Sequence, residues 1–160
     1  MIATPVHPSE TATTDEGAAF ESHLTSRFGQ IQVLLDSIVD FPDGLIGIGG
    51  SRYALLRTDP KSPFVWLQSL TVPGLALPVT NPHMFFPDFG VQLTDEEAER
   101  LGLAGGEQAD VLVTVTTGPT LADFTVNTRA PILIRQRRGF QVLNQASGVA
   151  VKTPLFPGRS

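Results

Sequence analysis

The chain has no cysteine, which excludes a disulfide scaffold, thiol catalysis and cysteine-ligated zinc. Histidine is scarce: His7, His23 and His83 stand far apart, with no pair at helical or hairpin spacing, so a histidine metal site is not indicated. Charge is thin as well, at 17 % of residues against about 25 % in an average soluble domain, which argues against a wholly disordered chain. No apolar run approaches the ~18 residues of a membrane span, and no signal peptide opens the chain. A cytoplasmic protein with no membrane partner is the expectation.

What is abundant is punctuation. Fifteen glycines and 13 prolines among 160 residues suit a fold of many turns and few long helices. Short apolar stretches recur about every ten residues between them: Tyr53 to Arg57, Phe64 to Leu70, Leu75 to Thr80, Val111 to Thr116, Phe124 with Val126, Ile132 to Arg135 and Phe140 to Leu143. Their β-branched content and the Asp-Pro, Pro-Gly, Asn-Pro and Gly-Pro pairs between them predict a mostly antiparallel β-fold. A small barrel-like single domain would remove most exposed sheet edges. Ile31, Val33 and Leu35 set against Gln30 and Gln32 predict a further half-buried strand. Residues 1–25, rich in Thr, Ser, Glu, Ala and Pro, read as a flexible tail, and residues 26–159 as the domain.

One short helix is signalled. Thr94 followed by Glu97 has the form of a capping box, in which hydroxyl and carboxylate each satisfy an orphan backbone N–H. Asp95, Glu96 and Glu97 suit the positive end of the helix dipole, and Gly102 is placed to end the helix. This segment belongs to an acidic window, Asp88 to Asp110, which also holds Glu99 and Glu107 against the single base Arg100. Arginines gather later, at Arg129, Arg135, Arg137 and Arg138, the last three reading as a charged hairpin turn. A net charge of −5 disfavours direct nucleic-acid binding, because the protein would have to overcome its own repulsion from phosphate.

Catalytic patterns are absent. No serine sits in a G-x-S-x-G elbow, and GLIGIGG at 44–50 is not a G-x-G-x-x-G fingerprint. Asp88 with Asp95, or Glu97 with Asp123, would be the carboxylate pairs for acid/base work, but solvated cap carboxylates are the commoner use of such residues. No catalytic residue, cofactor or metal ligand is assigned, and a binding protein is favoured over an enzyme. A small β-barrel carbohydrate-binding or hydrolase domain using acidic residues stays open as the alternative.

PFVWLQS at 63–69, NPHMFFPDF at 81–89 and TVNTRAPILI at 125–134 resemble blocks of the flagellar assembly factor FliW family, supported by RFGQIQV at 27–33 and FPDGLIG at 41–47. Order and spacing agree from about Arg27 to Phe156. Ile48, Phe89, Val126 and Thr128 depart from the residues usual in the family, without altering charge. The resemblance implies a non-enzymatic β-barrel-like protein that binds flagellin and the RNA-binding translational repressor CsrA, coupling flagellin synthesis to secretion. Carboxylates among Asp88, Asp95, Glu96, Glu97 and Glu99 would repel RNA from a docked CsrA, over a Debye length of roughly 8 Å, or contact CsrA directly. Within the family blocks, Trp66 and Leu67 read as core. Gln68, Phe85, Phe86, Asn127 and Arg129 are the further candidate contacts, with Phe85 and Phe86 expected on opposite faces of a strand.

Overall fold

The computed structural model describes residues 19–45, 51–103 and 109–156. Phe20–Thr25 (β1) and Gly29–Leu34 (β2) form an antiparallel hairpin. The main sheet follows in chain order as β3 (Ile38–Asp40), β4 (Arg52–Leu56), β5 (Phe64–Ser69), β6 (Ala76–Thr80), β7 (Asp110–Thr116), β8 (Thr125–Val126), β9 (Ile132–Arg135), β10 (Arg138–Gln141) and β11 (Thr153–Pro154). Strands β3 to β7 pair in sequence, β7 also pairs with β9, β9 with β10, and β10 returns to β3. Those seven strands close a barrel in which only the β3–β10 contact is parallel. Closure gives the backbone groups of each strand a partner on both sides, the outcome expected of short strands with turn-rich connections. Strand β8 pairs with the far end of β7, and β11 pairs with β8.

The pleat distributes side chains between an inner and an outer core. On β4, Tyr53 and Leu55 enter the barrel with Val39, Phe41, Val65, Leu67, Val79, Ile132 and Ile134. Ala54 and Leu56 point outward and are covered by Ile31 and Val33 of the hairpin. Phe41 meets Tyr53 edge to face, with ring centroids 5.2 Å apart. Gly139 on β10 lies directly against Phe41, so close that a Cβ there would meet the ring at 2.4 Å.

The hairpin moves the domain boundary. Phe20–Thr25, placed in the tail by composition, is a strand in full register with β2. It is held to the barrel by Arg52, whose two Nη atoms donate to the two Glu21 carboxylate oxygens at 3.1 Å each. Composition missed it because its outer face carries Phe20, Ser22 and Leu24 in no amphipathic order. Residues 1–18 lie outside the described residues, as do Ile48, most of the GLIGIGG loop and Glu107. Leu35 leaves the strand pattern and opens a 3-10 turn, Leu35–Ser37.

The helix α1 (Asp95–Arg100) forms where the cap signal puts it. Thr94 Oγ1 accepts from the Glu97 N–H at 3.2 Å, but the Glu97 carboxylate does not return to Thr94; it takes Arg100 instead, at 2.7 Å. Gly102, at φ +77°, ends the helix with Leu103 N–H bonding the Ala98 carbonyl and Gly102 N–H the Glu99 carbonyl, a Schellman closure. Between β9 and β10, Gln136 and Arg137 take φ values of 53° and 63°, so the arginine-rich stretch is a two-residue hairpin tip.

Candidate interaction surface

Residues 81–89 do not form a strand. Asn81 Oδ1 accepts from the His83 N–H at 2.9 Å and starts a 3-10 turn, Pro82–Met84. The His83 ring stands edge-on to Phe89, and its Nε2 donates to the Phe89 carbonyl at 3.1 Å. The two-face expectation for Phe85 and Phe86 therefore fails. Both are half-buried on the same apolar cluster, built on Val113, Val115, Val126 and Leu155.

That cluster is capped almost entirely by phenylalanine. Phe64 stacks on Phe85 at 6.2 Å, Phe85 meets Phe156 at 5.6 Å, Phe156 meets Phe124 at 5.9 Å, and Phe124 returns to Phe64 at 6.2 Å. Phe86 and Phe89 pack on the same cluster, and all six phenylalanines are half-buried. The side chain that does protrude here is Met84, 61 % exposed, which sequence reasoning passed over in favour of its aromatic neighbours. Asp88 is exposed in the same loop. An unbranched thioether standing out beside half-buried rings is an adaptable apolar contact with a charged neighbour.

The acidic helix offers a different chemistry. Asp95, Glu96 and Glu99 are exposed, whereas Glu97 is half-buried and engaged with Arg100. Arg100 also donates to Asp43 at 2.6 Å and lies 5.7 Å from the Phe140 ring centroid. One arginine thus answers two of the local carboxylates, and the outward acids of α1 keep their field. Asn144, also unanticipated, holds the connection between the aromatic loop and α1. Its Oδ1 accepts from Gln92 N–H at 2.9 Å, and its Nδ2 donates to the Gly90 carbonyl at 3.0 Å.

Two of the sequence candidates are structural. Gln68 is fully buried, its Nε2 within reach of the Ser69, Pro73 and Leu75 carbonyls at 2.8, 3.2 and 3.2 Å. It pins the β5–β6 turn and presents nothing to a partner. Asn127 Oδ1 accepts from the Arg129 and Ala130 N–H groups at 3.1 and 3.0 Å, an Asx turn leading into β9. Arg129 itself is exposed. Trp66 is half-buried on the outer face, between Phe28 at 5.8 Å and the Arg27 guanidinium at 4.3 Å. Leu67 is core, as its pattern predicts.

Among the described residues the geometry for acid/base chemistry is poor. A shallow cleft of about 200 Å³ is lined by Thr94, Glu97, Gln141, Val142, Leu143 and Gln145, so its single carboxylate is the one bound to Arg100. Neither Asp88 nor Asp95 lines it, and Asp123 is occupied by the Thr120 N–H and hydroxyl at 3.2 and 3.1 Å. Among the described residues no three His, Asp or Glu side chains gather as a metal site, and no helix is long and apolar enough to cross a membrane.

Known proteins share this architecture. The family model described as FliW protein matches residues 23–155. A flagellar assembly factor FliW from Bdellovibrio bacteriovorus is 35 % identical over 137 residues, covering 82 % of this chain and 77 % of the relative. Its namesake in Geobacter sulfurreducens is 35 % identical over 134 residues, covering 82 % and 84 %. A crystal structure of the flagellar assembly factor FliW superposes with a TM-score of 0.76 at 29 % identity, covering 88 % of this chain and all of the other. With the barrel, the blocks at 63–69, 81–89 and 125–134 and these matches in agreement, the chain belongs to the FliW family of flagellar assembly factors.

Proposed function

We propose that this protein works in the cytoplasm as a stoichiometric switch without catalysis, binding flagellin and the translational repressor CsrA in turn. Flagellin in excess occupies it, as a chaperone would; when flagellin is exported, the freed protein binds CsrA and relieves repression of flagellin synthesis. The observation that carries the flagellin half is the phenylalanine ring with Met84 standing out of it beside Asp88. An amphipathic helix laid across such a platform would bury its apolar face on Met84 and the ring edges. The CsrA half is supported by the exposed carboxylates Asp95, Glu96 and Glu99, which would oppose RNA phosphates near a docked repressor without entering the RNA groove.

The test is binding of the purified protein to flagellin and to CsrA, separately and in competition. Each partner is expected to weaken the other by the same factor or to exclude it outright. Met84→Lys should weaken flagellin binding by roughly tenfold or more, equivalent to about 1.4 kcal/mol. The double variant Asp95→Lys, Glu96→Lys should leave flagellin binding alone and reduce displacement of RNA from CsrA. Failure to bind either partner would remove the reading.

A further inference from the structure

The hairpin lies on the outside of the barrel, and one edge of it is bare. Among the described residues β1 pairs only with β2. Ala19 offers its carbonyl to the Leu35 N–H at 3.0 Å, directly opposite it in the β1–β2 register. The alternation of an antiparallel ladder then turns the N–H and C=O groups of Glu21, His23 and Thr25 toward β2. Those of Phe20, Ser22 and Leu24 face the other way, where no described residue meets them. Natural sheet edges are blunted by lysine, proline or a bulge. Phe20–Thr25 has none of these, and its register with β2 is unbroken. On its outward face Phe20 is 45 % exposed and Leu24 71 %.

The order of residues along this edge is self-complementary. With a two-fold axis through Ser22, an antiparallel second copy of β1 sets Phe20 opposite Leu24 and Glu21 opposite His23. Aromatic against aliphatic on the outer face, and carboxylate against imidazole on the inner one, are favourable cross-strand pairs. This register also joins the outward groups of Phe20, Ser22 and Leu24 to those of Leu24, Ser22 and Phe20 in the second copy. Sliding the second strand by two residues sets Glu21 against Glu21 or His23 against His23 and leaves one end of the strand unmatched. Within one chain Glu21 and His23 already meet at 2.8 Å, so the inner row of the pair is an alternating, balanced set of charges.

We propose that two copies of this chain associate edge to edge through β1, antiparallel and centred on Ser22. Such a contact is isologous, each copy giving the same patch, and it covers the exposed Phe20 and Leu24. One short strand against another buries less than the ~1,200 Å² at the lower limit of standard interfaces, so the dimer is weak and reversible. It stands independently of the partner switch, because Met84 and the outward acids of α1 lie on other elements.

Sedimentation equilibrium of the full chain from about 1 μM to about 1 mM, the range of weak affinities, should show a monomer–dimer equilibrium. Ser22→Pro removes the N–H at the dyad but no bond of the β1–β2 ladder, and should abolish the dimer. Leu24→Lys, at an exposed position that does not threaten folding, should weaken it by about tenfold or more. The absence of cysteine makes the register testable by mild oxidation. Two Ser22→Cys chains would hold their Cα atoms about 5.5 Å apart, inside the range of about 4.4–6.8 Å that disulfides span, and should cross-link. Phe20→Cys chains should not link to one another, being offset by about 14 Å along the strand, but should link to Leu24→Cys chains when the two are mixed. A protein that stays monomeric would overturn the proposal and leave the edge to another strand donor. Association that survives both Ser22→Pro and Leu24→Lys, or Phe20→Cys chains linking to themselves in place of Ser22→Cys, would overturn it equally.

Discussion

Replacing Gly139 by alanine separates backbone from packing effects, because the two predict opposite signs. Glycine inside a strand or helix costs about 0.5–1 kcal/mol relative to alanine, so backbone entropy alone makes Gly139→Ala stabilising. Packing says otherwise. The added Cβ would meet Phe41 Cε2 and Cζ at 2.4 Å and Cδ2 at 2.9 Å. Carbon atoms prefer separations of about 3.5–4.0 Å, so the ring must retreat by about 1 Å. Phe41 is fully buried, and its ring is already set edge-on against Tyr53. Overpacking of this kind costs about 1–3 kcal/mol, leaving a net destabilisation of about 1 kcal/mol after the backbone gain. At about 2–4 °C per kcal/mol the midpoint should fall by roughly 2–4 °C. Thermal unfolding followed by the fluorescence of Trp66, the one tryptophan, measures the shift, and urea unfolding the free energy. In a Phe41→Leu background, which removes Cε2 and Cζ, the same substitution should be nearly neutral, giving a coupling of about 1 kcal/mol between two touching sites. An alanine variant as stable as the parent, or one equally costly in both backgrounds, would refute the reasoning.

Other outcomes follow from single buried or paired groups. Gln68→Leu should cost about 1–3 kcal/mol in urea unfolding, since the β5–β6 turn loses a donor whose two amide protons are shared among three carbonyls. Tyr53 is the sole tyrosine, and burial raises its phenol above the ordinary value of 10.0. The folded state thus keeps it neutral where an unfolded chain would ionise, so this stability is full below pH ~10 and declines as pH rises. Phenolate absorbance should appear only together with loss of the fold, and a free titration near the ordinary value would contradict the buried placement. Hydrogen bonds from Arg52, then His23, hold the Glu21 carboxyl below its ordinary 4.5. Its contribution is present above that value and is lost as pH falls through the lowered one. Glu21→Gln should flatten the acid limb slightly, by no more than about 1 kcal/mol for so accessible a pair, and an unchanged limb would mean that the bridge is inert.

Most strands were legible because turn chemistry is local: Asp-Pro, Pro-Gly and Asn-Pro fix the backbone whatever surrounds them. Thr94 and Gly102 bounded the helix for the same reason. What misled was periodicity read without knowledge of the far side. β1 hid in a polar-looking tail because its partner strand, and Arg52 beneath it, supply its anchorage. Phe85 and Phe86 suggested a two-faced strand, yet Asn81 and Pro82 start a 3-10 turn that sends both to one cluster. Gln68 looked like an end-of-strand contact and proved to be an internal brace.

The sequence by itself determined that this is a cysteine-free β-protein with one capped helix, with its acids gathered in one segment and its arginines in another, and its motif blocks pointed to the FliW family. The tertiary structure alone decided which side chains remain available. Four phenylalanines from β5, the 81–89 loop, the approach to β8 and the segment after β11 close into a ring, leaving Met84 outside it. Barrel closure also brings Ala19, Leu35 and Arg137 to one spot across more than a hundred positions of chain. Local propensities act over a few residues, whereas exposure and the meeting of distant charges depend on how strands pair. Pairing is a property of the whole barrel.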